Sequence, residues 1–488
     1  MVPGPAVCEL PVVSKDRLTV RLKVRPGARF HDDACFEGGK GRDATAADVV
    51  ASLLRHADPA AKSAYYELFV QHRFVGVEAW RDAAARQRGA DYAAPPQGIH
   101  ADGDEVVLEL TEPYPALRAL LTQPWAAILP IEAIRRYGPT LGEHPVGTGP
   151  FRFGDQDAAR LRLVRFEGYR LKGKPALAEL RFEFIAEDDA RAARFALGDL
   201  DVLDVYAEVE AKLLDKKQAL QAEHAAKGRK LLDGEPLSVS YLAYNCASPL
   251  FAKPAMRHAI QRAVDRDLLA KAMFGDRVLR ADGPVPTAFP EGAVFAAEGW
   301  KEGGRDLAAV AARVKEAGFA SIAAVPEFIV DMPGDHLDAR AKAAGDLLIA
   351  QLKAAGFRPS LRQEPIAAFY ERVAKGDFVV AWLSWFADYP DAENFLLLFR
   401  SDKLQNGEWG SNFGRYSDPE VDRFYLEVAG FQPGKERAFA ATAMQRRLRA
   451  EAAWTPIAFI RRTTAVQKGV DGVAENLLRW SFRDASKK

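Results

Sequence analysis

Short apolar runs alternate with longer amphipathic stretches along the second half of the chain. The runs have the length of β-strands, and apolar residues recur at helical spacing between them. Strands are predicted at Tyr241–Asn245, Phe328–Asp331, Pro359–Gln363, Phe378–Trp385 and Trp454–Ile460. Because strand and helix alternate in this way, the pattern indicates a three-layer α/β lobe.

The first half mixes strand and helix signals less regularly. Leu18–Val24 alternates apolar and polar residues, as a half-buried strand does. Thr45, followed three residues later by Asp48, predicts the capped start of a helix. The polar stretch Glu208–Lys230 predicts one charged helix, and the Pro- and Gly-rich segment Arg280–Gly299 predicts a loop.

The apolar run Phe378–Trp385 stops abruptly at the turn-forming residues Asp388, Tyr389, Pro390 and Asp391. A run that is apolar almost throughout is typical of a strand covered on both faces. In open α/β sheets, ligands lie outside the carboxyl ends of such strands. Asp388, flanked by aromatic residues, therefore stands where a ligand would bind. The alternative is a solvated loop aspartate, or the cap of a helix starting near Ala392.

Charge and hydropathy exclude several function classes. The 67 basic residues equal the 67 acidic ones, so the net charge of zero does not draw the chain to nucleic acid or to an anionic membrane. No apolar run approaches the ~20 residues of a transmembrane helix. A length of 488 residues corresponds to two or three domains.

The sequence carries none of the common catalytic or metal-binding motifs. The glycine-rich segment Cys35–Asp43 lacks the spacing of a phosphate loop, and no two of the eight histidines have metal-ligand spacing. The three cysteines form neither a zinc site nor a disulfide scaffold; free thiols are expected, and a Cys8–Cys35 bridge stays open. We predict no metal and no cofactor. Asp388 and Asp391 could act as an acid–base pair, but at this spacing they are more typical of turn caps.

Several blocks resemble, in the same order, the extracytoplasmic solute-binding proteins of family 5, which serve peptide and nickel ABC importers. The resemblance covers nearly the whole chain. The blocks are LTVRLKVRPGARFHDD with TAADVVASLLR (Leu18–Arg55), HPVGTGPFRF (His144–Phe153), ALGDLDVLDV (Ala196–Val205), NCASPLFAKPAMRHAIQRAVDRDLL (Asn245–Leu269), SWFADYPDAENFL and SNFGRYSDPEVD.

The resemblance implies an α/β, two-lobe periplasmic-binding-protein-like fold of type II, with an extra small domain and a ligand cleft between the lobes. Carried onto this chain, residues 1–41 are part of the first lobe, 42–143 the small domain and 144–236 more of the first lobe. Residues 237–462 are then the second lobe, and 463–488 return to the first. Family members usually start with an export signal and a first strand ahead of the block at Leu18. This chain is therefore either a truncated or mis-started reading, or a form with a reduced first lobe. In the first case we expect the upstream gene sequence to encode a signal and roughly 50–80 further residues.

The implied function is a non-catalytic, monomeric receptor that closes on a peptide and delivers it to the membrane subunits of an ABC permease. Its expected location is the periplasm or the outer face of the cytoplasmic membrane. In peptide-binding relatives, the aspartate of the W-x-x-D stretch pairs with the α-amino group of the ligand, which corresponds to Trp385 and Asp388. The expected ligand-binding residues are Ser384, Trp385, Phe386, Ala387, Asp388, Tyr389 and Asn412. The alternatives are a nickel chelate or an oligosaccharide as ligand, or a hydrolase that uses Asp388 and Asp391.

Overall fold

The computed structural model describes residues 6–87, 89–299, 305–334, 339–403, 411–476 and 479–488. The chain folds into two units. The first contains the chain up to Ala186 together with Gly469–Lys488, and the second is Glu187–Lys468. The finer division into lobes and a small domain, with boundaries near residues 41, 143, 236 and 462, stays a prediction.

The first unit opens with two small antiparallel sheets and four helices. Strands β1, β2, β4 and β3 form one sheet in that order, and β5, β6 and β7 form the other. The elements are β1 (Val12–Val13), β2 (Thr19–Lys23), α1 (Ala46–Leu54), α2 (Val77–Gln87), β3 (Ile99–Asp102), β4 (Glu105–Glu109), α3 (Leu117–Leu120), α4 (Ile131–Tyr137), β5 (Phe151–Gln156), β6 (Arg160–Arg165) and β7 (Glu179–Glu183).

The predicted capping box at the start of α1 is confirmed. The Thr45 side chain accepts a hydrogen bond from the Asp48 amide, and the Asp48 carboxylate accepts one from the Thr45 amide. Asp48 is fully buried and also forms an ion pair with Arg42, whose Nη1 lies 2.7 Å from Oδ2. Arg42 in turn reaches Glu132 on α4, so one buried carboxylate fixes the helix start and joins two helices.

The second unit holds a six-stranded mixed sheet, a three-stranded sheet and twelve described helices. The six strands run in the order β11-β15-β10-β14-β12-β13, and the three in the order β8-β16-β9. The elements are α5 (Asp188–Leu197), β8 (Val202–Asp204), α6 (Ala207–Leu213), α7 (Ala222–Ala226), β9 (Lys230–Asp233), β10 (Ser238–Tyr244), α8 (Pro254–Ala263), α9 (Arg266–Phe274), β11 (Val278–Arg280), α10 (Pro290–Ala297), α11 (Leu307–Glu316), β12 (Phe328–Pro333), α12 (Ala339–Ala354), β13 (Pro359–Glu364), α13 (Ile366–Lys375), β14 (Val380–Phe386), α14 (Glu393–Leu396), α15 (Pro419–Gly430), α16 (Lys435–Ala450), β15 (Trp454–Ile460) and β16 (Thr463–Val466).

The predicted strand after Phe378 is confirmed as β14, at the centre of the six-stranded sheet. It lies antiparallel to β10 and parallel to β12. All seven residues of β10 are buried, because both faces of the sheet are covered. One face packs on helices α8, α9, α11 and α12. On β10 and β15, the rings of Tyr241 and Trp454 stack with centroids 3.5 Å apart.

The two sheets of the second unit are joined by two adjacent chain segments, which we call the double crossing. Residues 234–237 lead from β9 to β10, and Arg461 and Arg462 lead from β15 to β16. The Gly234 amide donates a hydrogen bond of 2.9 Å to the Arg462 carbonyl, so the segments are bonded to each other. Adjacent connections of this kind are where hinge bending is concentrated in two-body proteins.

Two sequence predictions in this unit are wrong. Glu208–Lys230 is not one helix but the two short helices α6 and α7, because Asp215 accepts hydrogen bonds from the Lys217 and Ala219 amides and so forms a turn between them. Arg280–Gly299 is not all loop, since it contains α10. That helix begins at Pro290, a residue suited to the first helical position.

The chain ends in the first unit with four short strands that form two antiparallel pairs. They are β17 (Val470–Asp471), β18 (Ala474–Asn476), β19 (Arg479–Ser481) and β20 (Ser486–Lys487). Cys8, Cys35 and Cys246 are free thiols. Among the described residues, no helix is both long enough and apolar enough to cross a membrane.

We predict that Asp48→Asn lowers the free energy of unfolding of the first unit by about 2 kcal/mol at pH 7. Burial alone would raise the pKa of Asp48, but the bonds from Arg42 and Thr45 outweigh it and lower the pKa. The contribution is therefore complete above the pKa of the unfolded state, near 4, and decreases progressively as the pH falls from there through the lowered pKa of the folded state. Urea unfolding at pH 7 and pH 3.5 measures this. An equal deficit at both pH values would contradict it.

Candidate ligand site

The segment that follows β14 lies beside the double crossing. Phe386, the last residue of β14, pairs with Ser238, the first residue of β10. The next amide, of Ala387, donates a hydrogen bond of 2.9 Å to the carbonyl of Leu237, which belongs to the crossing. Asp388 therefore lies just beyond the carboxyl end of a central strand. The residue before it is bonded to the chain segment that links the two sheets.

Asn394, which is fully buried, holds Asp388 in place. Its Oδ1 accepts hydrogen bonds of 3.0 Å from the Asp388 amide and from Nε1 of Trp385. Its Nδ2 donates one of 3.2 Å to Oδ2 of Asp388. The side chain of one asparagine thus fixes both the backbone and the carboxylate of Asp388, and ties them to the indole of Trp385 near the end of the strand.

The Asp388 side chain is half-buried and has no cationic partner among the described residues. Burial raises its pKa above the ordinary value of 3.8, and the hydrogen bond from Asn394 opposes this only in part. A desolvated carboxylate without a counter-ion is the kind of group that is found at ligand sites. The alternative of a solvated loop aspartate does not describe this residue.

Asp391 has a different environment, although it lies only three residues away. It forms an ion pair with Arg437 on α16, whose side chain is buried. Its Oδ1 also accepts a hydrogen bond of 2.9 Å from the amide of Glu393, the first residue of α14, so the Asp391 side chain is bonded to the start of that helix. Because the carboxylate of Asp391 is paired with the guanidinium of Arg437, the two aspartates are not arranged as an acid–base pair.

The remainder of the segment is fixed from behind by buried polar contacts. Arg437 also approaches Glu291 on α10, with Nε 3.3 Å from Oε1. Glu393 is buried and accepts hydrogen bonds from the hydroxyls of Tyr389 and Tyr425. Together with Asn394, these contacts make the segment a rigid support for Asp388.

The other predicted site residues on this segment differ in how far their side chains are exposed. Trp385 and Ser384 are half-buried at the end of β14, and Oγ of Ser384 lies 3.2 Å from Oγ of Ser240. Phe386 is 64% exposed, so its ring is available to a ligand. The side chains of Ala387 and Tyr389 are buried.

Asn412 does not join this group. Its Nδ2 donates to the carbonyls of Arg400 and Tyr416, at 3.0 and 2.7 Å, and its Oδ1 accepts from the Tyr416 amide. The Asn412 amide is thus used within its own loop. Sequence reasoning instead missed Asn394 and Arg437. Neither carries a local signal, since one lies six residues from Asp388 and the other 46 residues from Asp391.

The comparisons with known proteins identify the family of this chain. The family model described as bacterial extracellular solute-binding proteins, family 5 Middle, matches residues 2–407. The chain belongs to this family. Its members are non-catalytic binding components of ABC transporters, as the sequence resemblance implied.

Among curated relatives, the glutathione-binding protein GsiB of Shigella flexneri serotype 5b is 24% identical over 467 residues, which cover 94% of this chain and 81% of GsiB. The structure of DppA from Helicobacter pylori in complex with the peptide STSA has a TM-score of 0.77 at 19% identity, covering 99% of this chain and 89% of DppA. A dipeptide-binding protein from Pseudoalteromonas sp. SM9913 in complex with Met-Leu has a TM-score of 0.75 at 19% identity, covering 99% and 90%. The predicted α/β fold of this class is confirmed.

We predict that Asp388→Asn does not lower the melting temperature at pH 7 and raises it slightly. A carboxyl group whose pKa is raised by folding stabilises the fold when protonated, and this contribution is lost as the pH rises through the raised pKa. A neutral amide removes the cost of burying the charge. Thermal unfolding at pH 7 and pH 4 measures this, and the gain should shrink at pH 4. A marked loss of stability at pH 7 would show that Asp388 is a structural anchor instead.

Proposed function

We propose that this protein is a peptide receptor of an ABC importer, and that Asp388 pairs with the α-amino group of the bound peptide. The observation that carries the proposal is the state of the Asp388 carboxylate. It is half-buried, has no cationic partner among the described residues and is held by Asn394 at the end of a central strand. A protonated amine fits this position and supplies the missing charge.

The energetics favour a cationic ligand group here. Transferring an ammonium group from water into a protein is costly unless it finds an opposite charge and hydrogen-bond acceptors. Asp388 provides both, and the cost of desolvating its own carboxylate is already included in the fold. The exposed ring of Phe386 next to it offers an apolar surface for a side chain of the ligand.

The ligands named for the relatives support the same class. DppA and the Pseudoalteromonas protein hold peptides, and GsiB is named for glutathione. We propose that the receptor acts in the periplasm or at the outer face of the cytoplasmic membrane, as a monomer that delivers the peptide to the permease subunits. We further propose that the ligand is enclosed when the two sheets of the second unit close about the double crossing.

Calorimetry on a two-by-two set of proteins and peptides tests the role of Asp388. Asp388→Asn should weaken the binding of a free peptide roughly 30- to 1,000-fold, because it leaves a buried ammonium without its counter-charge. N-terminal acetylation of the peptide should cause a similar loss with the native protein and little further loss with the variant.

Asp377→Asn is the matched control, since that aspartate is exposed in the same unit and pairs with Arg372. It should bind free peptide as the native protein does. If native protein binds acetylated and free peptides equally well, Asp388 is not the partner of the amine. A nickel chelate or an oligosaccharide then becomes the better ligand candidate.

The pH dependence of peptide affinity provides a second test. The pKa of Asp388 is raised, so its protonation and the accompanying loss of affinity should begin at a higher pH than for an exposed aspartate. Affinity should also fall above about pH 8, where the peptide α-amino group loses its proton. Titrations between pH 4.5 and pH 9 measure both limbs. If the affinity of Asp388→Asn falls equally at acid pH, the loss of affinity belongs to another titrating group.

A further inference from the structure

An ion pair connects the two sheets of the second unit away from the double crossing. Glu210 lies on α6, a helix that packs on the three-stranded sheet. Arg340 is the second residue of α12, a helix that packs on the six-stranded sheet. Nη1 of Arg340 lies 2.8 Å from Oε2 of Glu210, and the side chains are 25% and 8% exposed. The pair is therefore largely shielded from water.

Gly275, which ends α9, gives the Glu210 carboxylate room beside Arg340. Its φ of +75° is a conformation that residues with a Cβ atom rarely adopt. A Cβ atom at this position would lie 2.9 Å from Oε1 of Glu210 and 3.1 Å from Nη1 of Arg340. Glu210 thus lies against the ends of two helices, α9 and α12, that both belong to the six-stranded sheet.

The Glu210–Arg340 pair and Asp388 lie on opposite faces of the six-stranded sheet. Helices α9 and α12 pack on the face that carries the Trp382 side chain. Trp385, three residues later on β14, lies on the other face, because side chains alternate along a strand. Asn394 is bonded to both the Trp385 indole and the Asp388 carboxylate, so Asp388 lies on the side of Trp385.

The double crossing lies between these two faces and can act as the pivot. It joins the sheets at the edge where β10 begins and β15 ends. A rotation about it that brings the sheets together on the face of Asp388 moves them apart on the face of α9 and α12. Arg277 also spans the sheets, but its partners Asp233 and Thr463 adjoin the crossing itself, where a rotation displaces atoms least.

We propose that the Glu210–Arg340 pair holds the receptor open, and that closure on a ligand breaks it. The inference rests on the proposed function, which supplies the closure about the double crossing. An ion pair that exists only in the open form lowers the population of the closed form, and the apparent affinity falls by the same factor. Glu210 and Arg340 therefore set the affinity of the receptor without contacting the ligand.

Calorimetry with trialanine tests the direction of this effect. Glu210→Gln should bind the peptide about three- to tenfold more tightly than the native protein, because its open form loses an ionic contact that its closed form does not make. Arg340→Gln should have a similar effect. The double variant should bind no more tightly than either single variant, since the first substitution already removes the pair.

Arg447→Gln is the matched control for these variants. The ion pair of Arg447 with Asp418 has an N···O distance of 2.8 Å and joins α16 to the start of α15, so it does not connect the two sheets. This variant should bind trialanine as the native protein does.

The distance between two spin labels tests the open form without a ligand. Leu197, at the end of α5, and Phe439, on α16, are exposed and lie on helices associated with different sheets. Cysteines at these positions can be labelled in protein whose three native cysteines are replaced by serine. In the absence of peptide, Glu210→Gln should shift the distance distribution toward that of the native protein with saturating trialanine.

The two measurements separate this inference from the proposed function. Weaker binding of trialanine by Glu210→Gln would show that the pair stabilises the closed form, and would overturn the proposal. Unchanged affinity together with unchanged label distances would overturn it as well. If trialanine binds neither protein, the proposed function fails and the label distances decide: a shift in the ligand-free variant supports the proposal, and the absence of a shift contradicts it.

Discussion

The candidate site is built around the half-buried carboxylate of Asp388, which has no cationic partner among the described residues. Such a group is unfavourable for the fold, and it is tolerated at Asp388 because Asn394 satisfies one of its oxygens and fixes its backbone. The contacts of Arg437 with Asp391, and of Tyr389 and Tyr425 with Glu393, hold the rest of the segment. The site is thus preorganised. The folded protein already bears the free-energy cost of burying the Asp388 carboxylate, and under the proposed function a cationic ligand recovers part of that cost.

The position of this segment gives the site a second property. The amide of Ala387 is bonded to the carbonyl of Leu237 in the double crossing, so the site segment is tied to the link between the two sheets of the second unit. Under the proposed function, a ligand that contacts Asp388 acts on the residues about which we propose that the sheets close. Binding and closure would then be two aspects of one equilibrium, in which affinity includes the free energy of the hinge.

The sequence predicted those features that depend on local patterns. The alternation of strand and helix identified β14 and its neighbours, and the spacing of Thr45 and Asp48 predicted the start of α1. The end of an apolar run at Asp388 located the candidate site. The long helix predicted over Glu208–Lys230 was wrong because composition does not reveal a single side chain such as Asp215 that turns the chain.

The tertiary environment of the site residues was not predictable from the sequence. Asp388 and Asp391 look equivalent in the sequence, yet Arg437, 46 residues beyond Asp391, pairs with Asp391, while Asp388 has no cationic partner among the described residues. Likewise, Arg461 and Arg462 are adjacent and identical, and only the fold shows that Asp204 pairs with the second. No hydrophobic or polar pattern in the sequence marks Asn394, because it bonds to Asp388 on the other side of a turn.

The central claim is that the Asp388 carboxylate is the ionic partner of the peptide amine, and a titration of that carboxyl group tests it most directly. The carboxyl carbon can be followed by NMR in aspartate-labelled protein and assigned by its absence in Asp388→Asn. The account predicts a raised pKa in the free protein and a fall to below the ordinary aspartate value when a free peptide is bound, but not when the same peptide, acetylated, is bound. A pKa that stays raised with the free peptide in place would contradict the account.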